Sequence, residues 1–199
     1  MRSRATRRCR SIDTGGSCVA WRGSPSSVRS AQPPPPDATS VAEEGDYALY
    51  HLTAAEPRAS VVYDWTQVPP GGGLDLVLQP GFDPAKHGVV EATPTIDGRP
   101  EQPAASGTGT AVYNERSPEH AVISVTSDAP GLLVVRNAFD RNWHATIDGR
   151  PAPLVIADYL MQGVAIPAGS HTVELTYRDP TVGVGVLVSV VAWAILFGL

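Results

Sequence analysis

The chain has 199 residues and a net charge of −5, so its composition does not indicate the basic surface of a nucleic-acid-binding protein. This length allows one ordinary domain with additional segments. The two cysteines, Cys9 and Cys18, have no histidine nearby and do not match a zinc pattern. We expect no metal site in this chain, and we also expect no cofactor.

The N-terminal 40 residues differ in composition from the rest. Residues 1–30 contain seven arginines and one acidic residue, Asp13. Such a start fits a transit-like peptide, a nucleic-acid or lipid-binding tail, a disordered terminus, or upstream sequence read as coding. No apolar segment of about 7–15 residues follows the arginines, so a secretory signal is not indicated. Residues 31–40 form a proline-rich spacer, and we predict a disordered tail over residues 1–40.

Short β-strands separated by turn residues are predicted from residue 46 onward. Residues 47–52 and 59–65 are rich in aromatic and β-branched side chains, which suit a half-buried sheet. Residues 74–78 are ambiguous between a helical turn and a strand. Further predicted strands are residues 88–92, 110–116, 121–127, 131–137, 154–157 and 163–166.

The C-terminal half has the clearest alternation. Trp143, Ala145 and Ile147 alternate with polar residues, and Asp148–Gly149 then predicts a type I′ hairpin turn. Residues 172–178 alternate in the same way. The sequence therefore predicts an all-β domain, a β-sandwich of short antiparallel strands, over residues 41–180.

One hexapeptide, Thr-Ile-Asp-Gly-Arg-Pro, occurs at residues 95–100 and again at 146–151. A duplicated half-sandwich would explain the repeat. Chance, or convergent turn chemistry, would also explain it, because Asp-Gly is a favoured turn. The sequences that flank the two copies do not match, which argues against duplication. We favour the second interpretation.

The run from Val182 to Leu199 contains no charged residue. Eighteen apolar or small residues make a helix of ~27 Å, close to the ~30 Å hydrocarbon core of a bilayer. We therefore predict a transmembrane α-helix over residues 181–199, with the lipid bilayer as its partner.

The order of motifs in the C-terminal half resembles the bacterial membrane protein YfhO family. The residues that carry this resemblance are Leu132 to Val135, Phe139, Trp143 to Ala145, Asp148, Gly149, Val164 to Gly169, His171 to Val173, Tyr177 and the apolar helix. Weaker similarity reaches back to Tyr47. Asn142 stands where the family usually has glycine, and asparagine tolerates the same turn.

The resemblance implies a large multi-spanning protein, related to C-superfamily glycosyltransferases, that acts on cell-envelope polymers. Its catalytic acidic residue would lie in an early loop that no position here matches, so we expect no catalytic residue in this chain. The implied partners are the missing membrane helices of the parent protein and an envelope glycan or lipid-linked sugar. The implied location is the bacterial cell membrane, with the β-domain on the extracytoplasmic side.

The location also bears on whether the chain is whole. A complete chain would be tail-anchored with a cytoplasmic sandwich, whereas the resemblance implies a sandwich outside the membrane, exported by preceding helices. The resemblance therefore favours a fragment of a larger protein.

A weak candidate site surrounds Trp143. An aromatic ring beside carboxylates can bind sugars, so Trp143, Asp140 and His144 are candidate ligand-binding residues. Alternatively, Trp143 is a core residue and His144 is solvated. The five histidines, His51, His87, His120, His144 and His171, show no metal-ligand spacing, and nucleophile-elbow and phosphate-loop motifs are absent from the sequence.

The sequence predicts a non-catalytic extracytoplasmic domain of a YfhO-like protein involved in glycosyl transfer. Alternatives are a membrane-anchored carbohydrate-binding or protein-interaction module without enzymatic role, and a gene remnant without function.

Overall fold

The computed structural model describes residues 19–22, 38–44, 47–52, 55–104 and 106–198. The chain divides into two compact units, residues 1–57 and 58–199. The domain limits predicted at residues 41 and 180 stay predictions.

The first unit contains a three-stranded antiparallel sheet. Its strands are β1 (Val19–Arg22), β2 (Ala38–Glu44) and β3 (Tyr47–Leu52), with β3 in the centre. The strand predicted at residues 47–52 is therefore present. Strand β1 and the start of β2 fall inside the tail predicted at residues 1–40, and the remaining residues of that tail lie outside the described part of the chain.

The second unit is a β-sandwich followed by a helix, as predicted. Its elements in chain order are β4 (Ala59–Val62), β5 (Asp64–Gln67), α1 (Gly73–Val77), β6 (His87–Val90), β7 (Thr95–Ile96), β8 (Arg99–Pro100), β9 (Gly109–Ser117), β10 (His120–Ser127), β11 (Gly131–Val135), β12 (Trp143–Ile147), β13 (Arg150–Ala152), β14 (Val155–Ala157), β15 (Met161–Ile166), β16 (Gly169–Tyr177) and α2 (Pro180–Gly198). One sheet has the strand order β13-β12-β16-β10-β9, and the other has the order β4-β11-β15-β14-β6-β5.

The main core lies between these two sheets. Strands β10 and β16 contribute Ile123, Val173 and Leu175, and strands β11 and β15 contribute Leu133 and Ile166, all of them fully buried. Burying each such side chain stabilises the fold by about 1.5–3 kcal/mol. The alternation predicted for β16 is confirmed, since Val173 and Leu175 are buried while Thr172 and Glu174 are exposed.

Strand β11 is buried on both faces because a second apolar cluster covers the outer side of its sheet. Leu132 and Val134 point away from the main core and pack with Val62, Trp65 and Val90. The strand is accordingly a continuous apolar run, Gly-Leu-Leu-Val-Val, without alternation.

Strands β5 and β6 are a parallel pair in an otherwise antiparallel sandwich. Parallel neighbours need a crossover connection, and the chain between them supplies it with α1. The ambiguous segment at residues 74–78 is therefore mostly helical rather than a strand.

Helix α2 begins directly after the last strand. Asp179 caps it, because its Oδ1 accepts hydrogen bonds from the backbone N–H (2.8 Å) and hydroxyl (2.7 Å) of Thr181. Pro180 occupies the first turn, where its missing N–H costs nothing. Within the described ranges, α2 is the one helix long and apolar enough to cross a membrane, with a mean hydropathy of 2.2.

Candidate functional site

Trp143 lies at the start of β12, opposite Tyr177 at the end of β16. The two rings meet edge to face, with centroids 5.4 Å apart and planes at 66°. Trp143 is half-buried and packs against the core between the sheets. This geometry supports the interpretation of Trp143 as a packing residue.

The other two candidate residues have surroundings that differ from those of Trp143. Asp140 closes the turn before β12, since its Oδ1 accepts the N–H of Asn142 (2.8 Å) and its carbonyl oxygen accepts the N–H of Trp143 (3.0 Å). His144 is exposed and follows Trp143 in the strand, so it faces the opposite side of the sheet. Binding of a ligand by these three residues stays a prediction.

The two copies of the repeated hexapeptide form the same hairpin. Asp97 and Gly98 have φ angles of 49° and 76°, and Asp148 and Gly149 have φ angles of 49° and 79°. Positive φ at both central residues is the requirement of the predicted type I′ turn. The cross-strand partners also correspond, because the threonine faces the proline in both copies.

A cleft of about 570 Å³ lies between these two hairpins. Its volume falls within the range typical of small-molecule sites. Its polar side chains include Asp97, Asp148, Arg150 and His171, and its apolar lining includes Ile96, Ile147, Pro151, Pro153 and Pro167. The cleft therefore combines both charges with flat apolar surface.

An ion pair holds one side of the cleft. His171 Nδ1 lies 2.7 Å from Oδ2 of Asp148, and His171 Nε2 lies 3.2 Å from the carbonyl oxygen of Ala168. Both neighbours are acceptors, which favours an imidazolium that donates from both nitrogens. The hydrogen bond to Asp148 raises the pKa of His171, and the hydrogen bond from His171 lowers the pKa of Asp148.

Asp148 also has a backbone partner. Its Oδ1 accepts the N–H of Thr172 at 2.9 Å, which further lowers the pKa of this carboxyl. The turn residue predicted from the Asp-Gly pair thus fixes its own hairpin to β16.

A second polar group lies on β5 and β6. His87 Nδ1 is 2.9 Å from Oδ2 of Asp64, and His87 Nε2 is 3.0 Å from Oγ1 of Thr66. The order carboxylate, imidazole, hydroxyl is that of an acid–base relay. The group faces an open surface depression on an edge strand, however, and such relays act in water-excluded sites.

The sequence did not predict that the residues of these two polar groups lie together. Asp64 and His87 are 23 residues apart and meet through the parallel pairing of their strands, and Asp148 and His171 are also 23 residues apart. In the part of the chain that the structure describes, histidine, cysteine and acidic side chains form no group of three or more suited to a metal ion.

The cleft and the aromatic pair lie at opposite ends of the sandwich. Tyr177 ends β16 next to the helix, whereas His171 and Gly169 lie at the start of the same strand. Nine strand residues span ~30 Å at about 3.3 Å per residue. The residues near Trp143 therefore lie close to α2, and the cleft lies far from it.

A β-sandwich whose last strand leads directly into an uncharged apolar helix defines a membrane-associated domain. Residues 108–189 match the family model "Bacterial membrane protein YfhO", so this part of the chain is similar to that family. Neither the curated proteins nor the solved structures include a match to the chain. The matched segment starts just before β9 and ends inside α2, and together with the apolar helix it supports a location at the membrane.

Proposed function

We propose that this chain is a non-catalytic extracytoplasmic domain of a YfhO-like integral membrane protein involved in glycosyl transfer to cell-envelope polymers. The observation that carries the proposal is the continuity of the family match, which runs through the second half of the sandwich and into the apolar helix. The transfer role rests on the resemblance of residues 132–199 to that family.

In this proposal the domain covers or shapes the acceptor side of an active site built by other membrane helices. The aromatic end of the sandwich lies next to α2 and is the end nearest to such helices. The acceptor polymer would pass over the sandwich, and the catalytic groups belong to the membrane part.

The location of the domain can be tested by cysteine labelling in intact cells. In a Cys9→Ser, Cys18→Ser background, Val112→Cys places a thiol at a site that is 57% exposed. We expect a membrane-impermeant maleimide to label this thiol without permeabilisation. Labelling only after permeabilisation would contradict the extracytoplasmic location. Val134→Cys, at a fully buried position, is the unlabelled control.

The transfer role needs a separate experiment. Cells that lack the gene are expected to carry an envelope polymer with reduced sugar substitution, measured by composition analysis of the purified envelope. Re-expression of the complete gene should restore the sugar. An unchanged sugar composition in the deletion strain would count against glycosyl transfer.

The alternative function is a membrane-anchored carbohydrate-binding or protein-interaction module. The cleft between the hairpins favours it, because carboxylates, an arginine and flat apolar surface are the groups that bind sugars. The full chain in detergent can be titrated with envelope glycans. Asp97→Asn and Asp148→Asn keep the turn conformation while changing the cleft, and Trp143→Phe changes the other end.

The outcomes of this titration are distinct. Weaker binding in the two cleft variants alone supports a module that uses the cleft. Weaker binding in Trp143→Phe alone supports the site around Trp143. Absence of binding to any envelope glycan contradicts the carbohydrate-binding function.

A further inference from the structure

Two large apolar side chains are exposed together on the turn between β14 and β15. Tyr159 is 40% exposed and Leu160 is 45% exposed. Turns of this kind ordinarily carry asparagine, glycine or other small polar residues. An adjacent tyrosine and leucine at such a position form a small exposed apolar surface, which an apolar environment would cover.

The backbone of this turn is unusual and firmly held. Asp158 and Tyr159 have φ angles of 45° and 74°, a region that residues other than glycine seldom adopt. The Asp158 carboxylate accepts the N–H of Val89 (2.9 Å), and the Asp158 N–H donates to the Val89 carbonyl (2.7 Å). The turn therefore presents its two apolar side chains in a fixed position.

Neighbouring segments reinforce the turn. The N–H of Phe139 donates to the carbonyl oxygen of Leu160 at 2.7 Å. Gly73 packs closely on Tyr159, because a Cβ atom added to Gly73 would lie 3.2 Å from the backbone of Tyr159. The turn thus has support from the 136–142 loop on one side and from α1 on the other.

The turn lies at the end of the sandwich from which the helix departs. The N–H of Arg178, two residues before α2, donates to the carbonyl oxygen of Asn142 at 2.9 Å. From Asn142 the 136–142 loop leads back to Phe139, which bonds to Leu160. One short loop therefore connects the root of the helix to the turn.

Other side chains at this end have the character of a membrane interface. Trp143 and Tyr177 form the aromatic pair, and Arg141 and Arg178 are exposed beside them. Tryptophan and tyrosine concentrate at the headgroup level of bilayers, and arginine binds lipid phosphate.

We propose that the turn formed by Asp158, Tyr159 and Leu160 contacts the headgroup region of the membrane that α2 enters, and that its two apolar side chains insert there. This inference requires insertion of α2 and does not depend on the glycosyl-transfer role. Contact with lipid accounts for the exposure of both side chains and for the rigid, unusual backbone that presents them.

The proposal can be tested with the full chain in vesicles of phosphatidylcholine and phosphatidylglycerol. In the Cys9→Ser, Cys18→Ser background, Leu160→Cys and Tyr159→Cys each carry an environment-sensitive fluorophore. Val112→Cys, which is more exposed than either, and Ser170→Cys, at the far end of β16, are matched controls. Near-ultraviolet circular dichroism identifies the variants that fold.

We expect blue-shifted emission at positions 159 and 160, and quenching by headgroup-attached nitroxide several-fold stronger than at positions 112 and 170. Emission at 159 and 160 equal to that of the controls, with free quenching by iodide, would overturn the proposal. Shielding from both quenchers would also overturn it, because the turn would then contact protein. If Leu160→Cys or Tyr159→Cys does not fold, the other variant decides the outcome.

Discussion

His171 and Asp148 form an ion pair, with 2.7 Å between Nδ1 and Oδ2, that joins the start of the last strand, β16, to a hairpin formed by the repeated hexapeptide. The pair lies at the rim of the cleft and is partly open to solvent. It therefore contributes modestly to stability and more directly to the shape and charge of the cleft.

The stability of the sandwich should depend on pH through this pair. The pKa of His171 is raised above its usual 6.5. The contribution of His171 to the free energy of unfolding is therefore complete below about pH 6.5 and is lost as the pH rises through the raised pKa. The pKa of Asp148 is lowered below 3.8, so its contribution is complete above 3.8 and is lost as the pH falls through the lowered value.

The thermal midpoint of the wild-type chain should exceed that of His171→Gln most clearly between about pH 4 and 6.5. The difference should shrink on both sides of this window. Asp148→Asn keeps an acceptor for Thr172 and should reduce the same difference. A gap between wild type and His171→Gln that stays constant across the acidic and neutral range would disprove the linkage.

Trp143 should act as a packing residue. Trp143→Ala removes the contact with Tyr177 and part of the inter-sheet core, and we expect it to lower the free energy of unfolding by about 2–3 kcal/mol. Trp143→Phe should cost less because an aromatic edge-to-face contact can persist. Denaturant unfolding gives both values. A Trp143→Ala chain as stable as wild type would mean that the ring does not support the core.

Gly107 and Tyr63 should show strong coupling. A Cβ at Gly107 would overlap the Tyr63 ring, which is held by a 2.6 Å hydrogen bond between its hydroxyl and Ser127 Oγ. Gly107→Ala should therefore destabilise the chain by about 1–3 kcal/mol. In a Tyr63→Leu background the same change should cost much less, giving a coupling of about 0.5–3 kcal/mol in a double-mutant cycle. Strictly additive effects would show that the ring can move aside.

Membrane association should depend on the absence of charged side chains from α2. Val190 lies near the middle of the helix and is 59% exposed. Val190→Asp should oppose insertion by about 2.5–3.5 kcal/mol, and Val190→Leu should leave insertion unchanged. The fraction of full-length chain that floats with vesicles and resists alkaline extraction measures this. Equal flotation of the aspartate variant and wild type would argue against a spanning helix.

Local features of the fold were predictable from the sequence. The alternation of Val173, Leu175 and their polar neighbours specified both the strand and its buried face, because period two is a property of the strand itself. The Asp148–Gly149 turn was equally local, and its positive φ values agree with the prediction. The uncharged helix followed from composition alone.

Features that depend on distant pairing were not predictable. The parallel pairing of β5 and β6, and with it the proximity of Asp64 and His87, has no periodic signal in the sequence. The repeated hexapeptide forms two similar turns. That both turns face one cleft follows only from the path of the chain between them. The candidate site was therefore placed around Trp143, where an aromatic and a carboxylate are close in sequence.

The junction between β16 and α2 has a mechanical consequence. Only Arg178 and Asp179 separate the strand from the helix, and both are hydrogen-bonded, one to Asn142 and the other to Thr181. Strand β16 is itself bonded on both edges, to β10 and β12. Such a short, bonded junction restricts rotation between strand and helix, so we expect the sandwich and its cleft to follow a tilt of the helix as one body.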